Sequence, residues 1–379
     1  MAGRRERGWA NGERRILDFR FSIFRSAKNH PGFGGAKPCA HAQGYSSQGS
    51  PRCEQREVWL TLSVGPSSAP FVKAGVKIGG VFHWPHLGTG RRVGGLFIPM
   101  ATDQDQRRAY WTEQLELAHD FMHRVLRHPV QECGEPMVAL EPAARAAGVR
   151  IDFSAAKHAL GLPRLYHLRA GQIEGFLGAG AEMNRRGWVL KVEDGFRTRQ
   201  MQKHVGRQPA VFDAILRSVR WELKGGKPTP EFFLRRSMTL VALMPKIGTH
   251  MSGSAIDISV HRLDNGAEID RGGPYLEMSE LTPMASPFVS PAARRNRDEI
   301  TAIMRTHGFF DYPYEFWHYN GGDAYECILR GQTEPARYGA IDWSPEDPAI
   351  RPIANPELPL NTADEFAEEI RSALARLGE

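Results

Sequence analysis

Cysteine is scarce in this chain and long apolar runs are missing. The four cysteines, Cys39, Cys53, Cys133 and Cys327, are scattered through 379 residues. That is too few for a disulfide framework, and none forms a C-x-x-C pair, so a structural zinc ribbon is not expected. Sparse cysteine suits a reducing compartment. No stretch reaches the roughly 18 apolar residues of a membrane span. The N-terminus is basic, yet no apolar run of roughly 7–15 residues follows it, so a secretory signal is not apparent. The expected location is cytoplasmic. One-signed charge is also confined. Residues 1–60 hold eleven Lys and Arg against five Asp and Glu, which accounts for the whole formal surplus of +6. The remainder is formally neutral, which gives neither nucleic acid nor a membrane surface a footing as partner.

What is present divides the chain into four expected parts. Residues 1–100 read as a basic, disordered or loosely ordered extension. Gly, Ser, Arg and Pro dominate Asn29 to Arg56 without sustained period. Within it, Val58–Val64 and Val93–Pro99 are apolar pieces that could pair as a hairpin. Residues 101–134 hold an amphipathic helix and linker, with Trp111, Leu115, Ala118, Met122 and Val125 at alternating four- and three-residue steps. Residues 135–342 read as the main domain, and 343–379 as a proline-rich, extended segment and a C-terminal helix.

Inside the main domain, Cys133 to Asp152 reads as a connection and Leu168–Arg186 as a helix stopped by Gly187. Trp188–Val192 reads as a strand. A helix from Thr198 to Lys224, open to a break near Pro209, precedes another that starts at Pro230. Asp264-Asn265-Gly266 is a hairpin turn. Ser290-Pro291 opens a helix to His307, and Thr362 with Glu365 forms a capping box. The loop Gly272–Ser290 is long and aperiodic, so it is a candidate border of a cleft. Its Glu277 and Glu280 could grip an ammonium or simply face solvent.

The chain is organised around Gly248-Thr249-His250-Met251-Ser252-Gly253-Ser254-Ala255-Ile256-Asp257-Ile258-Ser259-Val260. From Ile256 the pattern alternates, with Ile256, Ile258 and Val260 on one face and Asp257 and Ser259 on the other. The Met251–Ser254 segment is flexible enough in sequence to bring His250 back toward Asp257. Downstream, Pro313-Tyr314-Glu315-Phe316-Trp317-His318-Tyr319 adds a histidine three residues after a glutamate. His250, Asp257 and His318 make a three-ligand set of the kind a catalytic zinc uses, with Glu315 spare as a general base. Residues three apart in extended chain face opposite ways, so Glu315 is expected at the bend after Pro313. Arg197, after the turn Glu193-Asp194-Gly195, could steady an oxyanion or hold that turn by ion pairing. His119 and His123 stand four apart on the first helix. Asp120 occupies the place of the glutamate in an H-E-x-x-H site, so they read as surface or partner-facing groups. His204, His261 and His307 lack ligand-like spacing and read as surface groups too.

Taken together, His250-x6-Asp257, Glu315-x-x-His318 and Asp194-Gly195-Phe196-Arg197 resemble the zinc D-alanyl-D-alanine dipeptidases and, more broadly, the D-Ala-D-Ala carboxypeptidase and Hedgehog-like zinc fold. The resemblance covers roughly residues 135–342. It implies an α+β fold, with a small, mostly antiparallel sheet flanked by helices and a zinc cleft on one face. It also implies one Zn2+ per chain on His250, Asp257 and His318, Glu315 as base and Arg197 at the transition state. The implied partner is a small dipeptide, D-alanyl-D-alanine, cleaved to two D-alanines. Related D-alanine carboxypeptidases, other dipeptidases and a non-catalytic zinc-stabilised binding module stay open as alternatives. One departure stands out. The family usually has serine two residues before the first histidine, where this chain has Gly248, which leaves the ligand set intact and the substrate open.

Overall fold

The computed structural model describes residues 102–378, together with the backbone of two paired strands, β1 (Arg92–Val93) and β2 (Leu96–Phe97). Both strands fall within or beside the second of the two apolar pieces. Val58–Val64 and the rest of the expected loose extension lie outside the described residues.

Helix α1 (Asp103–Arg127) begins at a capping box, in which Thr102 and Asp105 exchange side-chain and backbone hydrogen bonds. Its apolar stripe, Trp111, Leu115, Met122 and Val125, is buried. The region expected as a plain connection contains β3 (Met137–Ala139), α2 (Leu140–Ala146) and β4 (Ile151–Phe153). Strands of three residues are too short for their alternation to register in sequence. Next come β5 (His167–Arg169), paired antiparallel with β3, and α3 (Ile173–Arg185). Leu168 and Arg169 therefore belong to a strand, not to the helix that sequence extends over them.

Strand β6 (Trp188–Asp194) leads to α4 (Arg199–Val205) and α5 (Pro209–Glu222). The break between these helices falls where Pro209, which has no N–H to donate, serves as the first residue of α5. Helix α6 (Pro230–Leu240) starts the same way, and the Thr229 hydroxyl accepts from the Phe232 amide. Strand β7 (Ala255–Arg262) is followed by the long loop, α7 (Pro291–Thr306), β8 (Phe310–Asp311), β9 (His318–Asn320) and α8 (Ala324–Leu329). The segment expected to be extended forms a hairpin, β10 (Ile341–Ser344) with β11 (Asp347–Pro352), before α9 (Ala363–Arg376) with its Thr362–Glu365 capping box.

The fold is α+β. Its main sheet has the order β4-β6-β7-β9-β8, parallel only between β4 and β6 and antiparallel elsewhere. One apolar cluster joins the sheet to α3 and α7 through Phe176, Met183, Leu190, Ile256, Ile258, Val260, Ile300 and Met304. A second joins α1, α5, α6, α8 and α9 through Trp111, Phe212, Phe233, Tyr325 and Phe366. Sheet residues that point away from the first cluster face a cleft, and the second cluster supplies the opposite wall.

Candidate active site

The alternation along β7 places its aliphatic side chains in the first cluster and turns Asp257 to the other face. Asp257 is paired with Asp194 of β6 on one side and His318 of β9 on the other. Three cleft-lining side chains thus stand on one rung of the sheet. His250 reaches the same point from a short 3-10 turn, Thr249–Ser252, just before β7. That segment is locked, contrary to its flexible appearance in sequence. Ser252 Oγ donates to the Thr249 carbonyl at 2.6 Å, and Ser254 Oγ donates to Asp323 Oδ2 at 2.6 Å. Gly253 closes the turn with φ +69°, and a Cβ there would meet the Met137 side chain at 2.5 Å.

His250, Asp257 and His318 are all buried, and each offers a ligand atom within 4.8 Å of the other two. His250 Nε2 lies 3.3 Å from Asp257 Oδ1, and His318 Nδ1 lies 3.0 Å from the same oxygen. Donors about 2.0–2.1 Å from a tetrahedral zinc stand about 3.3 Å apart, so these separations suit one ion. The other ring nitrogens are engaged. His250 Nδ1 contacts the Gly195 carbonyl at 2.7 Å, and His318 Nε2 contacts Thr249 Oγ1 at 3.0 Å. The Gly195 carbonyl can only accept, so His250 Nδ1 donates to it and that tautomer leaves the Nε2 lone pair toward Asp257, while the Thr249 hydroxyl orients the His318 ring with Nδ1 toward the same carboxylate. Burial would raise the Asp257 carboxyl, but the two imidazoles outweigh it and hold the group well below the usual carboxylate range. The residues therefore fit a divalent metal in number, chemistry and spacing.

Glu315 lines the same cleft. It sits at a bend, with its amide bonded to the Tyr312 carbonyl at 3.2 Å and its carbonyl bonded to the His318 amide at 3.3 Å. Burial, then the charge on Asp257, push its carboxyl well above the ordinary value, with Arg197 opposing. Arg197 is 8% exposed. Its Nε donates to Asp194 Oδ2 at 2.8 Å and its Nη2 to Asp257 Oδ2 at 3.3 Å. Arg197 thus pairs with the turn and also borders the cleft, so its two sequence readings are compatible.

Several cleft residues carry no signal in sequence. Tyr275 OH donates to Asp257 Oδ2 at 2.9 Å, and Leu276 and Met278 of the same loop line the cavity. The aperiodic loop does border the cleft, but through these residues. Glu280 pairs with Arg107 on α1 at 2.8 Å, and Glu277 is not among the lining residues. His158 and Arg164 line the cavity beside Asp194. Only Pro163 and Gly161 mark their loop in sequence, and neither signals function. His119 and His123 meet each other, with Nε2 atoms 3.3 Å apart, and do not line the cleft. His307 bonds Glu182, His204 its own helix and His261 the Gly266 carbonyl.

A mixed sheet backed by helices, with three buried donors on one face, defines an α+β scaffold suited to one divalent metal. Residues 168–334 match the model of the Peptidase_M15 family, described as D-ala-D-ala dipeptidase. The chain is similar to the D-alanyl-D-alanine dipeptidase of Enterococcus faecium, 33% identical over 24% of this chain and 41% of that protein. It is also similar to the D-alanyl-D-alanine dipeptidase of Escherichia coli (strain K12), 40% identical over 18% of this chain and 36% of that protein. The chain thus spans less than half the length of these relatives. Among solved structures, the vancomycin resistance D,D-pentapeptidase VanY in complex with Zn(II) aligns at TM-score 0.28 and 13% identity, covering 55% of this chain and 96% of that one. The LdcB LD-carboxypeptidase aligns at TM-score 0.29 and 16% identity, over 65% and 90%. Scores this low carry no weight for the chemistry.

Proposed function

We propose that this chain is a zinc-dependent peptidase that cleaves D-alanyl-D-alanine to two D-alanines. The reading rests on the convergence of His250, Asp257 and His318 within 4.8 Å, with Glu315 and Arg197 bordering the same cleft. Zinc, when bound, polarises a scissile carbonyl and acidifies an attacking water. Glu315 takes the proton released during attack and passes it to the departing amine. Burial and the charge on Asp257 raise the Glu315 carboxyl above its ordinary value, which makes it a better proton acceptor than an exposed carboxylate. Arg197 keeps its charge at any working pH, and Asp194 and Asp257 hold its plane, so it is prepared for the negative charge of the tetrahedral state. Leu240, Val241, Ile247 and Met278 form an apolar wall that limits water around these charges.

The names of the curated relatives support the substrate. Gly248, in place of the family's serine, keeps a second reading in play, in which a D-alanine is trimmed from the end of a longer cell-wall peptide. Amine release from the dipeptide, compared with that from a longer peptide ending in D-alanyl-D-alanine, separates the two. A binding module without turnover would have no use for Glu315. Glu315→Gln should therefore retain one metal per chain and lose roughly 10²–10⁴-fold in kcat. Wild-type turnover by that variant would remove Glu315 from the mechanism.

A further inference from the structure

Helix α1 carries a second pair of imidazoles, which the cleft does not use. His119 and His123 stand four residues apart, one above the other on a single helical face. Their Nε2 atoms lie 3.3 Å apart, with ring centroids 4.5 Å apart and ring planes at 74°. Both residues are partly exposed, so an ion reaches them from solvent without passing through the cleft.

Two arrangements could produce that contact. In one, the rings share a proton, and one Nε2 donates to the lone pair of the other. A separation of 3.3 Å is long for that, because N–H hydrogen bonds mostly fall at about 2.7–3.2 Å. In the other, both lone pairs serve one cation. Donors about 2.0–2.1 Å from a tetrahedral ion stand about 3.3 Å apart. His250 Nε2 and Asp257 Oδ1 keep the same 3.3 Å in the cleft. Neither Nδ1 has a partner among the described residues, so no tautomer is imposed and each ring can carry its proton on that side.

The surroundings set the strength of the pair. Glu116, one turn earlier on the same face, is taken by Arg235 and Arg236 of α6, the second at 2.8 Å. Those ion pairs offset the arginines' charge beside the imidazoles and also remove Glu116 as a free ligand. Asp120 is exposed next to His119 and adds negative charge that favours a cation. Among the described residues, only His250, Asp257 and His318 bring three ligand atoms within 4.8 Å of one another. The α1 pair is a two-donor site by comparison, weaker than the cleft and completed by water.

We propose that His119 and His123 bind a second divalent ion of the imidazole-preferring class that includes zinc, nickel and copper. This ion is additional to the one in the cleft, and its site does not depend on the peptidase reading. Both donors belong to one helix, so the ion staples a single turn of α1. That turn includes Met122, which lines the cleft and accepts from the Tyr325 hydroxyl at 3.2 Å.

The test titrates the metal-free full chain with zinc by calorimetry. Wild type should show a tight event and a weaker one, each close to one ion per chain. His119→Ala and His123→Ala should each keep the tight event. Each should weaken the other event by more than the roughly 10–100-fold that loss of a mere orienting partner costs. Alanine is the best helix former, so neither variant endangers α1. His250→Ala should do the reverse, losing the tight event and keeping the weaker one, which separates failure of the cleft from failure of the pair. His204→Ala, whose ring contacts the Gln200 carbonyl at 2.9 Å, should change neither event. A wild type without the weaker event overturns the site. So does a weaker event that survives either α1 variant at full strength, and the shared proton then accounts for the contact.

Discussion

Tyr275 and Arg197 meet on a single atom. The Tyr275 hydroxyl lies 2.9 Å from Asp257 Oδ2 and the Arg197 guanidinium 3.3 Å from it, while Oδ1 is left to the two imidazoles. The carboxylate is therefore divided, with one oxygen for a metal and one for the scaffold. Burial, followed by the charge on Asp257, raises the Tyr275 hydroxyl well above its ordinary value, so it remains a donor.

Tyr275→Phe removes that donor without changing the ring, which packs edge-on to Trp317 at 5.8 Å. Partners that orient a ligand are worth roughly 10–100-fold in metal affinity. Zinc affinity measured against a competing chelator should fall toward the lower end of that range, since Arg197 still holds Oδ2. An unchanged affinity would mean that Tyr275 only closes the cleft.

Thr249→Val tests the other end of the ligand set. The valine keeps the shape and loses the oxygen that faces His318 Nε2 at 3.0 Å. The imidazole would then be free to turn its lone pair away from Asp257. Zinc affinity should fall by about 10-fold or more, with thermal stability of the metal-free protein lowered by about 1–3 kcal/mol for the unpaired buried nitrogen. Affinity equal to wild type would show that Thr249 does not orient the ring.

Asp194 carries a pH signature. Burial alone would raise its carboxyl, but Arg197, His158 and Arg164 outweigh burial and hold it far below the usual range. The folded carboxyl thus binds its proton less readily than the unfolded one. Its stabilising contribution is complete above the ordinary carboxylate range and is lost progressively as pH falls through and below that range. Chemical denaturation from about pH 6 to about pH 3 should show a steep loss for wild type and a shallower one for Asp194→Asn. The variant should already be weaker at neutral pH by about 3–5 kcal/mol, because the buried Arg197 and the half-buried Arg164 lose their charged partner. Parallel pH slopes would refute this account.

Trp111 tests how far α1 is integrated with the helical layer. It is 1% exposed, and its indole N–H donates to Ser218 Oγ of α5 at 2.9 Å. Trp111→Ala should cost about 3–5 kcal/mol in a single cooperative transition. A variant within about 1 kcal/mol of wild type would mean that α1 docks loosely.

The parts legible in sequence are those with short-range physical signals. The alternation of β7 places Asp257 opposite Ile256 and Ile258, and the three-residue spacing of Glu315 and His318 requires the bend that follows Pro313. Ser290 and Thr362 mark helix starts because their side chains replace missing backbone partners. The parts not legible depend on pairing over long separations. Strands β3 and β4 are too short to show a period, and the β10–β11 hairpin is obscured by Pro348 and Pro352. His158 and Arg164 acquire meaning only where their loop folds beside Asp194. Tyr275 comes from a loop with no regular pattern at all.

The shared rung of Asp194, Asp257 and His318 makes chemistry hostage to register. A slip of β7 by one residue would present Ile256 or Ile258 to the cleft and drive the carboxylate into the aliphatic layer. No partly competent version of the cleft exists along that path. Metal capture during folding would therefore report that the central strands have found their correct alignment, and would hold them to it.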